Sequence, residues 1–159
     1  MAREIERTFL LANHGWRRAV ARQERLVDGL VAVSDGRKVR VRLYEDRATL
    51  TIKTRRVGAV REEFEYPIPM DDARDLLARH CGATELAKVR YVVPFEGFDW
   101  VVDEYEGMLA GVIVAEIELP REDTVFPLPP WAGREVTLDP AWRKGEMVRR
   151  FVEGRSHNP

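Results

Sequence analysis

Charged residues in this chain come in like-signed pairs with a single apolar residue between them. Glu4 and Glu6 flank Ile5, Arg40 and Arg42 flank Val41, and Glu63 and Glu65 flank Phe64. Lys88 and Arg90 flank Val89, and Glu116 and Glu118 flank Ile117. On an extended backbone, residues two apart share a face, so each stretch has one apolar face and one face of a single sign. A solvated sheet face ordinarily mixes Thr, Ser, Lys and Glu, whereas like charges side by side repel. If the strands close into a barrel with the charged faces inward, acidic and basic strands oppose each other across a lumen. The apolar faces then point outward and need helices to cover them. The inverse arrangement puts the pairs on a wet outer surface, where ion pairs contribute little. Pattern alone leaves both arrangements open.

The rest of the chain supplies the strands and covers. Residues 3–10 read as a strand, followed by a short helix near His14, capped by Asn13, with Trp16, Ala19 and Val20 on its apolar side. Residues 24–33 alternate loosely. Ser34-Asp35-Gly36 signals a hairpin turn into residues 38–43, and residues 49–53 return with the same strict period of two. Residues 61–66 alternate again. Residues 70–81 are the clearest helix: Asp71 and Asp72 suit its first turn, Ala73, Leu76, Leu77 and Cys81 form a stripe, and Gly82 suits its end. Strands follow at 88–93, closed by Pro94, then at 99–105 and 112–119. Residues 120–138 are rich in proline and read as irregular, packed through Phe126 and Trp131. Asp139 and Pro140 open a helix running to about Phe151. One domain over residues 1–153 is expected, with a disordered tail over 154–159.

Composition narrows the function classes. Of 159 residues, 45% are hydrophobic and 33% charged, which describes a folded, charge-rich chain rather than a disordered one. A net charge of -1 offers no global field for nucleic acid or anionic lipid. The lone Cys81 cannot form an internal disulfide, the first residues contain no apolar leader, and no apolar run reaches membrane-spanning length. A cytoplasmic protein without nucleic-acid or membrane partners is expected; a homodimer stays open.

With the charged faces inward, the lumen holds Arg40, Arg42, Lys53, Lys88 and Arg90 beside an acidic wall. That many guanidinium and ammonium groups suit a phosphate chain. The carboxylates would repel it unless they held Mg²⁺ or Mn²⁺, so acids and bases together imply a metal-bridged polyphosphate. His14, His80 and His157 are scattered and join no acidic set. Trp16, Trp100, Trp131 and Trp142 share no spacing and read as packing anchors, and no glycine pattern marks a phosphate loop.

The ordered motifs resemble those of the CYTH superfamily, the triphosphate tunnel metalloenzymes, in its short bacterial form. Glu4-Ile5-Glu6-Arg7-Thr8-Phe9-Leu10 is similar to the family's E-x-E-x-K opening. Val39-Arg40-Val41-Arg42, Thr51-Ile52-Lys53, Glu63-Phe64-Glu65-Tyr66, Lys88-Val89-Arg90-Tyr91, Val102-Asp103, Glu106-Gly107 and Ala115-Glu116-Ile117-Glu118 follow in family order. Pro130-Trp131-Ala132-Gly133-Arg134-Glu135-Val136-Thr137 resembles the C-terminal W-x-G-x-E-V-T segment. The resemblance implies a β-dominated α+β fold, an eight-stranded antiparallel tunnel with a charged interior and flanking helices. It implies metal-dependent hydrolysis of inorganic tripolyphosphate or a related triphosphate; thiamine triphosphatase and class IV adenylate cyclase are other family activities, and a non-catalytic triphosphate or polyphosphate binder is the rival reading. It also implies that Glu4, Glu6, Glu116 and Glu118 hold the metal, Arg40, Arg42, Lys53, Lys88 and Arg90 bind phosphates, and Glu63 and Glu65 position water, with Lys53 catalytic and Asp103 on a second metal. Two positions depart from the pattern. Thr8 stands where the signature has lysine, and Arg7 cannot replace it because alternation aims it at the other face. Leu30 follows Gly29 where relatives often have tyrosine.

Overall fold

Two tight hairpins set the register of the sheet. Asp35 and Gly36 both have positive φ (48° and 75°), as do Glu96 and Gly97 (44° and 83°), the conformation whose twist matches flanking antiparallel strands. The computed structural model describes residues 2–156. Its strands are β1 (Arg3–Leu11), β2 (Arg22–Ser34), β3 (Arg37–Leu43), β4 (Ala48–Lys53), β5 (Val60–Ile68), β6 (Leu86–Phe95), β7 (Phe98–Tyr105), β8 (Ile113–Glu118) and β9 (Ala132–Glu135), with helices α1 (Met70–His80) and α2 (Lys144–Ser156). All pairings are antiparallel, in the order β5-β4-β3-β2-β6-β7-β8-β1. Residues Arg3, Glu4 and Ile5 of β1 pair back to β5, which closes eight strands into a barrel. β9 adds to β1 outside that ring.

Closure decides the inside-or-outside question. Arg42 is 4% exposed, and Lys88 and Asp103 are 0% exposed. Val41, facing the other way, is equally buried because a cover lies over it. Two covers lie over outward faces, and a further helix closes one end of the lumen. α1 lays Ala73, Leu77 and Cys81 over Val41 and Ala48. Gly29 lets the helix approach this closely: a Cβ there would lie 2.7 Å from Cys81 Sγ. α2 instead brings Met147, Val148 and Phe151 to Leu86, Tyr105, Leu109 and Val114; Leu86, Tyr105 and Val114 share the inward parity of Lys88, Asp103 and Glu116, so this helix closes one end of the lumen.

The largest cluster, around Ile5, Phe9, Trp100 and Ile117, is covered by Trp16, Phe126 and Trp131 rather than by a long helix. Trp100 meets Phe126 and Trp131 edge-on at 5.9 and 5.4 Å. The expected helix near His14 is a 3-10 turn, Gly15–Ala19.

Three local expectations are corrected. Pro94 does not end its strand, which pairs Pro94 with Asp99 and runs on to the hairpin at Phe95. Near a hairpin end the missing N–H costs little. The Pro-rich stretch contains β9, where Gly133 admits a close backbone approach: a Cβ there would sit 3.1 Å from Leu10 O. The helix expected from Asp139 is two pieces. Asp139 accepts from Ala141 N at 3.0 Å and caps a 3-10 turn, Pro140–Trp142. Arg143 is extended (ψ 133°), so α2 starts anew at Lys144. Residues 157–159, within the expected tail, and His157 lie outside the described residues. His14 and His80 are exposed. No helix among the described residues is long and apolar enough to cross a membrane.

Candidate active site

The inward face of each strand contributes side chains to one lumen, and they sort into two zones. The first borders a cavity of about 870 Å³ lined by Glu4, Glu6, Arg40, Arg42, Lys53, Arg61, Glu63, Glu65, Arg90, Glu116 and Glu118, among others. Lys53 pairs across the β4–β5 register with Glu63 and reaches Glu4 at 3.5 Å. Arg61 binds Glu4. Arg40 lies 3.5 Å from Glu63 and 3.4 Å from Glu65, and Thr51 Oγ1 donates to Glu65 at 2.9 Å. Burial, then repulsion from Arg40 and Arg61, pushes the Lys53 ammonium down to about 8. Burial alone would raise Glu63, but Lys53 holds it below the usual carboxylate range.

The acids of β1 and β8 face one another. Glu6 is directly opposite Glu118, and Thr8 opposite Glu116. Arg56 donates to Glu6 at 3.0 Å, and Glu116 lies 3.9 Å from Arg90. Glu118 has no ion pair among the described residues; burial and then repulsion from Glu4, Glu6 and Glu63 push its carboxyl up. Carboxylates crowded at one place are what an oxygen-preferring divalent cation relieves. Among the described residues no three acidic, imidazole or thiol side chains form a ready cage, because bases already engage Glu4 and Glu6. Glu4, Glu6, Glu116 and Glu118 therefore fit a cation shared with an anionic ligand better than one held by protein alone.

The second zone is sealed at its centre, Lys88 and Asp103, and reaches the cavity through Arg42 and Arg90. Arg90 donates to both oxygens of Asp103 at 2.8 and 2.9 Å, and Lys88 donates to Asp103 at 2.6 Å. Lys88 also lies 3.4 Å from Asp28, which accepts two bonds from Arg42, the longer at 3.1 Å. Despite burial, Arg90 and Lys88 hold the Asp103 carboxyl far below its ordinary range. Neither Lys88 nor Asp103 is among the residues that line this cavity. Asp103 has both oxygens engaged by bases, and Lys88 is paired with Asp103 and Asp28. Both sit in the wall behind Arg90.

A second lobe of about 380 Å³ shares Glu6, Arg61, Glu116 and Lys144 with the first as lining residues. Thr8 lines it, as the strand register expects, while Arg7 points outward to Glu135 at 2.7 Å and over the Phe126 ring. Lys144 borders both lobes from the first turn of α2. Burial disfavours its charge, but Tyr105, Glu116, Asp103 and Asp28 more than offset this, and its pKa is raised.

Sequence reasoning missed Arg61, Asp28 and Lys144. Arg61 shares parity with Glu63 and Glu65 and was there to be read. Asp28 was hidden because its face neighbours, Leu26 and Leu30, are apolar. Lys144 comes from a helix and has no strand period to betray it.

Comparison with known proteins agrees with this geometry. The CYTH domain model matches residues 2–151. An inorganic triphosphatase of Acetivibrio thermocellus is 38% identical over 149 residues, covering 94% of this chain and 95% of the relative. An inorganic triphosphatase of Nitrosomonas europaea is 29% identical over 150 residues, covering 91% and 96%. The crystal structure of the inorganic triphosphatase NE1496 superposes with a TM-score of 0.67 at 26% identity, covering 91% of this chain and 93% of that one. The chain belongs to the CYTH domain family.

Proposed function

We propose that this chain hydrolyses inorganic tripolyphosphate, or a closely related triphosphate, with Mg²⁺ or Mn²⁺ as cofactor. The observation that carries the reading is a single cavity with Arg40, Arg42, Lys53, Arg61 and Arg90 on its walls and the crowded carboxylates of β1 and β8 beside them. Curated relatives that span nearly the whole chain carry the name inorganic triphosphatase.

The guanidinium groups grip phosphate oxygens and spread the charge of the leaving pyrophosphate. Glu63, held ionised by Lys53, is placed to orient a water and take its proton as the new P–O bond forms and the P–O–P bridge breaks. Glu65, fixed by Thr51 and Arg40, supports that placement. Lys53 stays charged at neutral pH and neutralises charge at the reacting phosphoryl group. Glu4, Glu6, Glu116 and Glu118 would hold the divalent cation, which would neutralise charge on the phosphate chain. Lys88 and Asp103 act through Arg90, which they hold in one orientation. Lys144 enters the lumen from α2 and provides the ammonium that Thr8 lacks. The lone thiol fits a reducing, cytoplasmic setting.

Phosphate release from tripolyphosphate, ATP, thiamine triphosphate and pyrophosphate, each with Mg²⁺ or Mn²⁺, tests this. Release from tripolyphosphate in excess of the others is expected. Folded protein that releases phosphate from none of them overturns the reading. Triphosphate binding without release would favour the second reading, a binding module, for which Thr8 in place of lysine speaks.

A further inference from the structure

We propose that Tyr44 is a substrate-binding residue of the larger cavity, its hydroxyl donating to the phosphate oxygen that Arg42 reaches. This rests on the triphosphate reading of that cavity. Three observations carry it.

The first is place. Tyr44 lies two residues beyond Arg42 and four beyond Arg40, just past the end of β3, so it keeps their inward parity. It is half-buried and lines the larger cavity beside Arg42.

The second is hydrogen bonding. Arg42 gives Nε and Nη2 to Asp28 and turns Nη1 to the Tyr44 hydroxyl at 3.4 Å. A phenol has one hydrogen to donate as well as lone pairs to accept with. Arg42 uses a lone pair, and among the described residues the Tyr44 O–H has no acceptor. Glu24 and Asp46 are engaged by Arg47 instead.

The third is rigidity. The turn that carries Tyr44 is closed by its own N–H, which donates to Arg47 O at 2.9 Å. The Arg47 guanidinium stacks on the Tyr44 ring, 3.6 Å from its centroid, and donates to both oxygens of Glu24 on β2 at 3.1 and 2.9 Å. A ring tied to β2 through Arg47 and facing Arg42 has little freedom left to lose when a ligand arrives. An anionic oxygen completes this arrangement, because the O–H and the neighbouring guanidinium both make charge-assisted bonds to it. Tyr44 thus adds a neutral donor to a cavity whose other proposed phosphate ligands are cations.

Calorimetric binding of tripolyphosphate with Mg²⁺ tests this, with thermal melting as the check on structure. Tyr44→Phe keeps the ring against Arg47 and removes only the hydroxyl. It should bind about tenfold more weakly than wild type and melt at the same temperature. Tyr66→Phe, at an outward-facing tyrosine that is 54% exposed, should bind as wild type does. Replacing Tyr44 by 3-fluorotyrosine, at a pH where the phenol stays protonated, makes the hydroxyl a stronger donor and a weaker acceptor. Binding should then hold or tighten, whereas a hydroxyl that served only to accept from Arg42 would lose affinity.

Unchanged binding by Tyr44→Phe overturns the proposal, as does an equal loss in Tyr66→Phe or a loss on fluorination. A weaker-binding Tyr44→Phe that also melts lower overturns it in favour of a structural hydroxyl. In each of these cases tripolyphosphate binding by the wild type stands. Wild-type protein that binds no tripolyphosphate brings down both readings.

Discussion

The two charged zones of the lumen are built from the same residue types on neighbouring strands, yet they do opposite things. In the wall, Asp28, Arg42, Lys88, Asp103 and Arg90 form a chain of short contacts with its centre inaccessible to water. In the open zone, Glu4, Lys53, Glu63, Arg40 and Arg61 are paired as well, but they border a cavity, and Glu118 beside them is left without a partner among the described residues. A satisfied buried network resists change because every charge removed strands another. A partly satisfied network on a cavity can exchange an internal partner for a ligand. Like-charge pairs on strands therefore mark the lumen, and only the cross-strand partners tell structural charge from chemical charge.

The largest expected contrast is in stability. Asp103→Ala leaves Lys88 and Arg90 buried without their counter-charge and should cost about 3–5 kcal/mol in denaturant unfolding. Glu65→Gln, on the half-exposed side of the open zone, should cost about 0–1 kcal/mol. Similar losses at both positions would erase the distinction between wall and cavity.

Next comes the lysine that arrives from α2. Lys144→Met should lower tripolyphosphate turnover by about ten- to a hundredfold, the equivalent of roughly 1.5–3 kcal/mol for a charge-assisted contact. Adding Thr8→Lys to that variant should restore part of the loss, because position 8 lines the same lobe. Kinetics of the single and double variants read this, and a Lys144 variant with full activity would break the substitution of one lysine for the other.

A smaller effect follows from Lys53, whose pKa is pushed down to about 8. Below that pH it is charged and attracts phosphate. As the pH rises through about 8 the charge is lost, and KM for tripolyphosphate should rise. Arginine stays charged across this range, so Lys53→Arg should flatten the profile. A wild-type KM that is flat through this window would contradict the placement of Lys53 against substrate.

The smallest effect concerns Glu118. Its carboxyl is crowded by Glu4, Glu6 and Glu63, so Glu118→Gln should stabilise the metal-free protein by about 0.2–1 kcal/mol while weakening divalent-cation binding. Thermal melting with and without Mg²⁺ gives both signs. A loss of stability without metal would show that Glu118 is not strained by its neighbours.

Much of this was legible in the chain itself because strand alternation has a fixed period. The five like-charge pairs placed their side chains on one face, and Thr8 and Arg7 fell on opposite faces as alternation demands. Parity says which face a residue occupies, not what it meets there. Lys88 and Asp103 face inward as read, but each finds the other before any ligand. β9 was unreadable because it is short, lies among prolines and depends on Gly133 touching β1. The break at Arg143 that delivers Lys144 was hidden behind a strong cap at Asp139, which opens a single 3-10 turn rather than the helix.

The central claim is that the cavity-lining groups, and not the Lys88–Asp103 pair buried behind Arg90, touch the triphosphate. A crystal structure with a non-hydrolysable triphosphate and Mn²⁺ tests it most directly, since the metal is located by its anomalous signal. Phosphate oxygens should lie against Arg40, Lys53, Arg61 and Lys144, with Mn²⁺ on the β1 and β8 carboxylates and the Lys88–Asp103–Arg90 contacts unchanged. A triphosphate bound outside the lumen, or Lys88 released from Asp103 to hold a phosphate, would contradict it.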